Sequence, residues 1–102
     1  MKINQRDVNS MKRLCKDHEV DRLYLFGSFL TDKFKSDSDV DMVVDFKDIS
    51  TERYADNYFK LKYALEEILG RKVDLLEEKA IKNPFLKKEI NANKKLFYAE
   101  KS

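Results

Sequence analysis

The sequence predicts an α+β fold, an α/β sandwich in which helices pack on a short mixed β-sheet. Three observations carry that expectation. Val40, Met42, Val44 and Phe46 alternate with Asp39, Asp41, Val43 and Asp45, the period of two that belongs to a strand. Tyr54, Tyr58, Leu61, Leu65 and Ile68 recur at the spacing of one helix face. Two shorter apolar runs, Leu23-Tyr24-Leu25-Phe26 and Lys72-Val73-Asp74-Leu75-Leu76, have the length and composition of buried strands. Helical and extended segments interleave, and such a chain buries its apolar faces by laying helices on a sheet.

The elements follow in order. Ile3, Val8, Met11, Leu14 and Cys15 predict a first helix from Gln5 to Asp17. His18 to Asp21 reads as a turn, and the first strand runs from Leu23 to Phe26, stopping at Gly27. The alternating strand spans Asp39 to Phe46, with one packed face and one carboxylate-rich face. Ser50 or Thr51 caps the next helix, and Gly70 is suited to end it. A third strand covers Lys72 to Leu76. Pro84 sits at the first turn of a helix carrying Phe85, Leu86 and Ile90. Lys95-Leu96-Phe97-Tyr98 fits either a continuation of that helix or an edge strand.

Residues 1–102 are expected to form one domain. Hydrophobic residues at 42% against 39% charged give a thin core, so a homo- or hetero-oligomeric partner is expected to cover part of the surface. Glycine and proline occur only at Gly27, Gly70 and Pro84, which excludes a loop-rich or disordered chain. The lone Cys15 excludes an internal disulfide and points to a reducing compartment. No apolar run follows the N-terminus, so neither a signal peptide nor a membrane span is expected, and the location expected is cytoplasmic. Net charge is +2, but Lys79 to Ser102 holds seven lysines against Glu89 and Glu100. That segment could meet phosphate or an acidic surface, or be a solvated helix face.

The chemistry concentrates in carboxylates. Asp39 and Asp41 lie two apart on a strand, so their side chains share a face with Cα atoms roughly 6.5–7 Å apart. Carboxylates that close repel, and a hard divalent cation such as Mg²⁺ is the natural compensation. Asp74 is a third acid, set between Val73 and Leu75. If its strand lies beside the first, three carboxylates converge, a geometry suited to two metals about 3.5–4 Å apart. Asp37-Ser38-Asp39-Val40-Asp41 also resembles the start of a calcium loop, but Met42 and Asp48 stand where that loop needs glycine and glutamate. Gly27-Ser28, directly after an apolar strand, allows a sharp turn that offers backbone N–H groups and a hydroxyl to phosphate. His18 has no partner at metal-ligand spacing, Cys15 no visible catalytic dyad, and no Walker-type loop is present.

In combination these residues read Gly27-Ser28, ten residues, Asp39-Val40-Asp41, and later Val73-Asp74-Leu75. This resembles the signature of the DNA polymerase β-type nucleotidyltransferase superfamily. The length, and Asn83-Pro84-Phe85-Leu86 followed by Glu89-Ile90 and Tyr98, resemble its minimal branch, whose members pair with HEPN-domain proteins. The resemblance spans about Leu23 to Tyr98. It implies that Gly27 and Ser28 hold the triphosphate of ATP and that Asp39 and Asp41 coordinate two Mg²⁺ ions. It implies that Asp74 is the third metal ligand and the acceptor of the attacking hydroxyl's proton. The implied reaction moves AMP to a hydroxyl, a tyrosine of a HEPN toxin, in a type VII-like toxin–antitoxin pair, with no nucleic acid bound directly. The chain departs from the family in having Thr31 four positions after the glycine, where arginine is common, and Asp32 next, where glycine is frequent. The competing expectation is a weak or inactive member that neutralises its partner by binding alone.

Overall fold

The computed structural model describes residues 3–27 and 39–100. Helix α1, Gln5–Asp17, begins where the Asn4 side chain accepts the Asp7 N–H at 2.8 Å, satisfying one of the amides a helix start leaves unpaired. Its apolar stripe places Met11 and Cys15 in the core with no exposed surface. At its end His18 Nδ1 lies 2.8 Å from the Leu14 carbonyl, and Glu19 turns the chain with φ 61°. His18 thus serves the turn, and Asn57 holds its carbonyl from the next helix at 2.6 Å.

Strand β1 runs Val20–Phe26, three residues longer at its start than the apolar run alone predicts. The reason is a register shift between Val20 and Arg22, which sets Asp21 aside and lets Val20 reach the core opposite Phe46. Strand β2, Val40–Phe46, pairs antiparallel with β1. Helix α2, Thr51–Leu69, then crosses over to β3, Val73–Glu77, which lies parallel to β2. A parallel neighbour needs such a crossover, and α2 supplies it. Gly70 ends α2 with φ 65° and an N–H bonded to the Glu66 carbonyl at 2.8 Å. A short 3₁₀ turn, Glu78–Ala80, leads to α3, Pro84–Asn93, whose first amides bond to the Asn83 side chain at 2.9 and 3.3 Å.

Lys95–Ala99 forms an edge strand, β4, antiparallel to β1, which settles the segment left open between helix and strand. The four strands stand in the order β3-β2-β1-β4. Leu23, Leu25, Val40, Met42, Val44, Val73 and Leu75 point to one face, where Leu61 and Leu65 of α2 and Met11 and Cys15 of α1 close the core. The opposite face carries Asp41 and Asp45. Val43 also points there by alternation yet is fully buried. Lys94, at the end of α3, sits over the Tyr24 ring at 4.0 Å and reaches Glu78 at 3.3 Å. Two of the C-terminal lysines are therefore committed within the fold, since Lys79 also reaches Asp45 at 3.7 Å and the Phe46 carbonyl at 3.4 Å.

Candidate functional site

Asp41 stands second in β2, between two neighbours. On one side its Cα partner is Phe26, the last residue of β1; on the other it is Asp74 of β3. Residues in register on adjacent strands project to the same face, and strands lie about 4.8 Å apart. Asp41 and Asp74 are therefore a side-by-side pair. Asp39 immediately precedes β2, whose pairing to β3 begins with the Val40 N–H on the Lys72 carbonyl at 2.9 Å. Asp39 and Asp74 are exposed, and Asp41 is half-buried.

The electrostatics register that convergence. Burial pushes the Asp41 carboxyl above the usual carboxylate range, and the charges of Asp74 and then Asp39 push it further. Both other aspartates thus act on Asp41. Gly27 completes the arrangement. It has φ 79°, and a Cβ there would lie 2.5 Å from Asp41 Oδ2. The chain can turn off β1 beneath the carboxylate only because that Cβ is missing. Ser28 and Thr31 lie outside the described residues.

Three neighbouring carboxylates offer hard oxygen donors, which match Mg²⁺ in chemistry. Among the described residues no three acidic, imidazole or thiol groups are drawn together tightly enough to enclose an ion by themselves. Waters and phosphate oxygens would have to complete the shell, as Mg²⁺ commonly requires. Two cavities lined by described residues lie elsewhere. One of about 530 Å³ opens between α1 and the end of α2, at Arg6, Ser10, Arg13 and Ile68. Another, of about 440 Å³, lies by Asp45, Lys79 and Glu100. Neither contains Asp39, Asp41 or Asp74.

Two residues beside the site escaped the sequence reading. The Tyr58 hydroxyl donates to the Leu75 carbonyl, next to Asp74. Its own proton is held more tightly than usual, through burial first and the Asp74 charge second. Glu66 accepts the Val73 N–H at 2.9 Å, on the other flank of Asp74. Helical spacing marks Tyr58 as part of an apolar stripe but says nothing of where its hydroxyl goes. Glu66 carries no signal at all.

The family model of the nucleotidyltransferase domain matches residues 9–97. The chain belongs to that family. Its relatives agree. The nucleotidyltransferase is 39% identical over 80 residues to Methanocaldococcus jannaschii MJ1379, provisionally named a protein adenylyltransferase, covering 78% of this chain and 79% of that one. It is 34% identical over 76 residues to the protein adenylyltransferase MntA of Thermococcus cleftensis, covering 74% of each. A solved structure provisionally described as a minimal nucleotidyltransferase superposes with a TM-score of 0.74 at 28% identity, covering 89% of each chain. A toxin–antitoxin crystal structure with AMP-PNP shares the fold at 22% identity and a TM-score of 0.71, covering 92% of this nucleotidyltransferase and 74% of that chain. The fold and the transferase activity expected from the sequence both stand. No helix among the described residues is long and apolar enough to cross a membrane.

Proposed function

We propose that residues 1–102 act as one cytoplasmic nucleotidyltransferase domain that moves AMP from ATP to a tyrosine hydroxyl of a HEPN-domain toxin. The observation that supports this most is the register pair Asp41–Asp74 with Asp39 at its end, set over a glycine turn. The solved neighbours add support, since one of them is a complex of a tri-AMPylated Shewanella oneidensis HEPN toxin with its MNT antitoxin.

In this reading Asp39, Asp41 and Asp74 would hold Mg²⁺, and Gly27 and Ser28 would take the triphosphate. Mg²⁺, when bound, supplies charge neutralisation to the phosphates and to the three carboxylates. The residues of the chain do the rest. The glycine turn lets the phosphate chain approach the strand end closely, and the aspartates orient it for in-line attack. The acceptor oxygen forms a bond to the α-phosphorus as the bond to pyrophosphate breaks. The hydroxyl proton passes to the Asp74 carboxylate, which is exposed and so reachable by a protein substrate.

Incubation with α-labelled ATP, Mg²⁺ and the HEPN partner should label that partner. Asp39→Ala combined with Asp41→Ala should abolish the label, and label persisting in the double variant would overturn the proposal. A binding-only function remains the second reading, supported by Phe85, 83% exposed, and Leu96, 53% exposed, as docking groups. It requires that the double variant still neutralise the toxin and that calorimetry detect no ATP binding to the unaltered protein.

A further inference from the structure

β3 has five residues and, among the described residues, one strand neighbour, β2, leaving its outer edge there without a ladder. Such an edge ordinarily bonds to water and frays. In a strand, alternate residues present their N–H and C=O to opposite sides, so Val73 and Leu75 face outward while Asp74 bonds inward to β2. Side chains of helix α2 reach that outer edge. Its Glu66 carboxylate takes the Val73 N–H at 2.9 Å, and its Tyr58 hydroxyl donates to the Leu75 carbonyl. The Tyr54 hydroxyl pairs with the Glu77 side chain at the far end of the same strand. The pairs 54–77, 58–75 and 66–73 run in opposite directions along helix and strand, so α2 runs antiparallel to β3 and its side chains strap the edge.

The straps at Val73 and Leu75 bracket one residue, Asp74. We propose that Glu66 and Tyr58 are positioning residues for Asp74, holding the backbone on both sides of it so that its carboxylate stays in register with Asp41. The strap matters because Asp41 sits in β2, a strand paired on both sides, and Asp39 directly before it, whereas Asp74 depends on an edge strand. This inference rests on the reading of Asp74 as a functional carboxylate.

The test uses Glu66→Ala, Glu66→Gln, Tyr58→Phe and Asp74→Asn. Glutamine can still accept the Val73 N–H, and phenylalanine keeps the ring packing of Tyr58 while losing its hydroxyl. Glu66→Ala and Tyr58→Phe should each lower kcat for AMP transfer about 10–100-fold, as loss of a supporting shell does, with KM for ATP nearly unchanged. The same two variants should weaken Mn²⁺ binding, measured by electron paramagnetic resonance with a non-hydrolysable ATP analogue, and speed hydrogen exchange of the β3 amides. Glu66→Gln should restore kcat and Mn²⁺ affinity to near the unaltered level. If Glu66→Ala fails to fold, Tyr58→Phe carries the test alone. Unchanged kcat and Mn²⁺ affinity in folded Tyr58→Phe, with Asp74→Asn inactive, overturns the strap and spares Asp74. Full activity in Asp74→Asn overturns the role of Asp74 itself and the strap with it.

Discussion

Gly27→Ala separates backbone strain from damage to the carboxylate site. Gly27 has φ 79° and Gly70 has φ 65°, both in the left-handed region where a side chain costs about 1–2 kcal/mol. Gly70 has nothing within 4 Å of an added Cβ, whereas at Gly27 the new carbon would stand 2.5 Å from Asp41 Oδ2, below the 3.0 Å that real contacts respect. Both substitutions should therefore lower the melting temperature, by roughly 4–8 °C for each kcal/mol in a domain of this size. Only Gly27→Ala must also displace the Asp41 carboxylate, the nearest and most mobile obstacle. A displacement on that scale costs about 100-fold in rate when the group positions a reacting centre. Thermal unfolding by circular dichroism and single-turnover AMP transfer measure the two effects separately. Gly70→Ala is expected to lose stability and keep its rate; Gly27→Ala is expected to lose both. Equal rates in the two variants would refute the argument that Gly27 is there to admit Asp41.

Three further outcomes are expected. Burial and the charges of Asp74 and Asp39 raise the folded pKa of Asp41 above its unfolded value, so its ionised form opposes folding. The penalty is absent at low pH and grows as pH rises through the carboxylate range. Metal-free Asp41→Asn should therefore gain stability over the unaltered protein from about pH 4 upward in urea titrations, and saturating Mg²⁺ should narrow the gap. The Cys15 thiol is buried and pushed up to about 12, so a thiol reagent at pH 8 should label it only in denaturant. Leu61→Ala removes a fully buried side chain between α2 and the sheet and should cost about 2–5 kcal/mol in chemical denaturation.

Much of this was legible because it is local. The period of two from Val40 to Phe46 reports a strand whichever neighbours it acquires, and the stripe from Tyr54 to Ile68 reports a helix ended by Gly70. The motif of glycine, serine and two aspartates could be read for the same reason, since its parts lie within fifteen residues. The boundary that was missed and the segment left open have non-local causes. β1 begins at Val20 because a register shift against β2 rescues a residue that looked like turn. Lys95–Ala99 is a strand because β1 offers it an edge, and an apolar run that short has no period of its own to declare.

Residue order alone determined that Asp41 would lie on a strand, two residues after Asp39, and that a glycine would end the strand before it. It also determined the helix joining that strand to the third acid. Whether Asp74 stood beside those aspartates, behind them or at the far edge was decided by the parallel pairing of β3 with β2, in the register Asp41 to Asp74. Tertiary packing likewise decided that Tyr58 and Glu66 would spend their polar atoms on the edge of β3. Strand neighbours are chosen by the free energy of burying both faces of the sheet at once, a quantity no single segment contains.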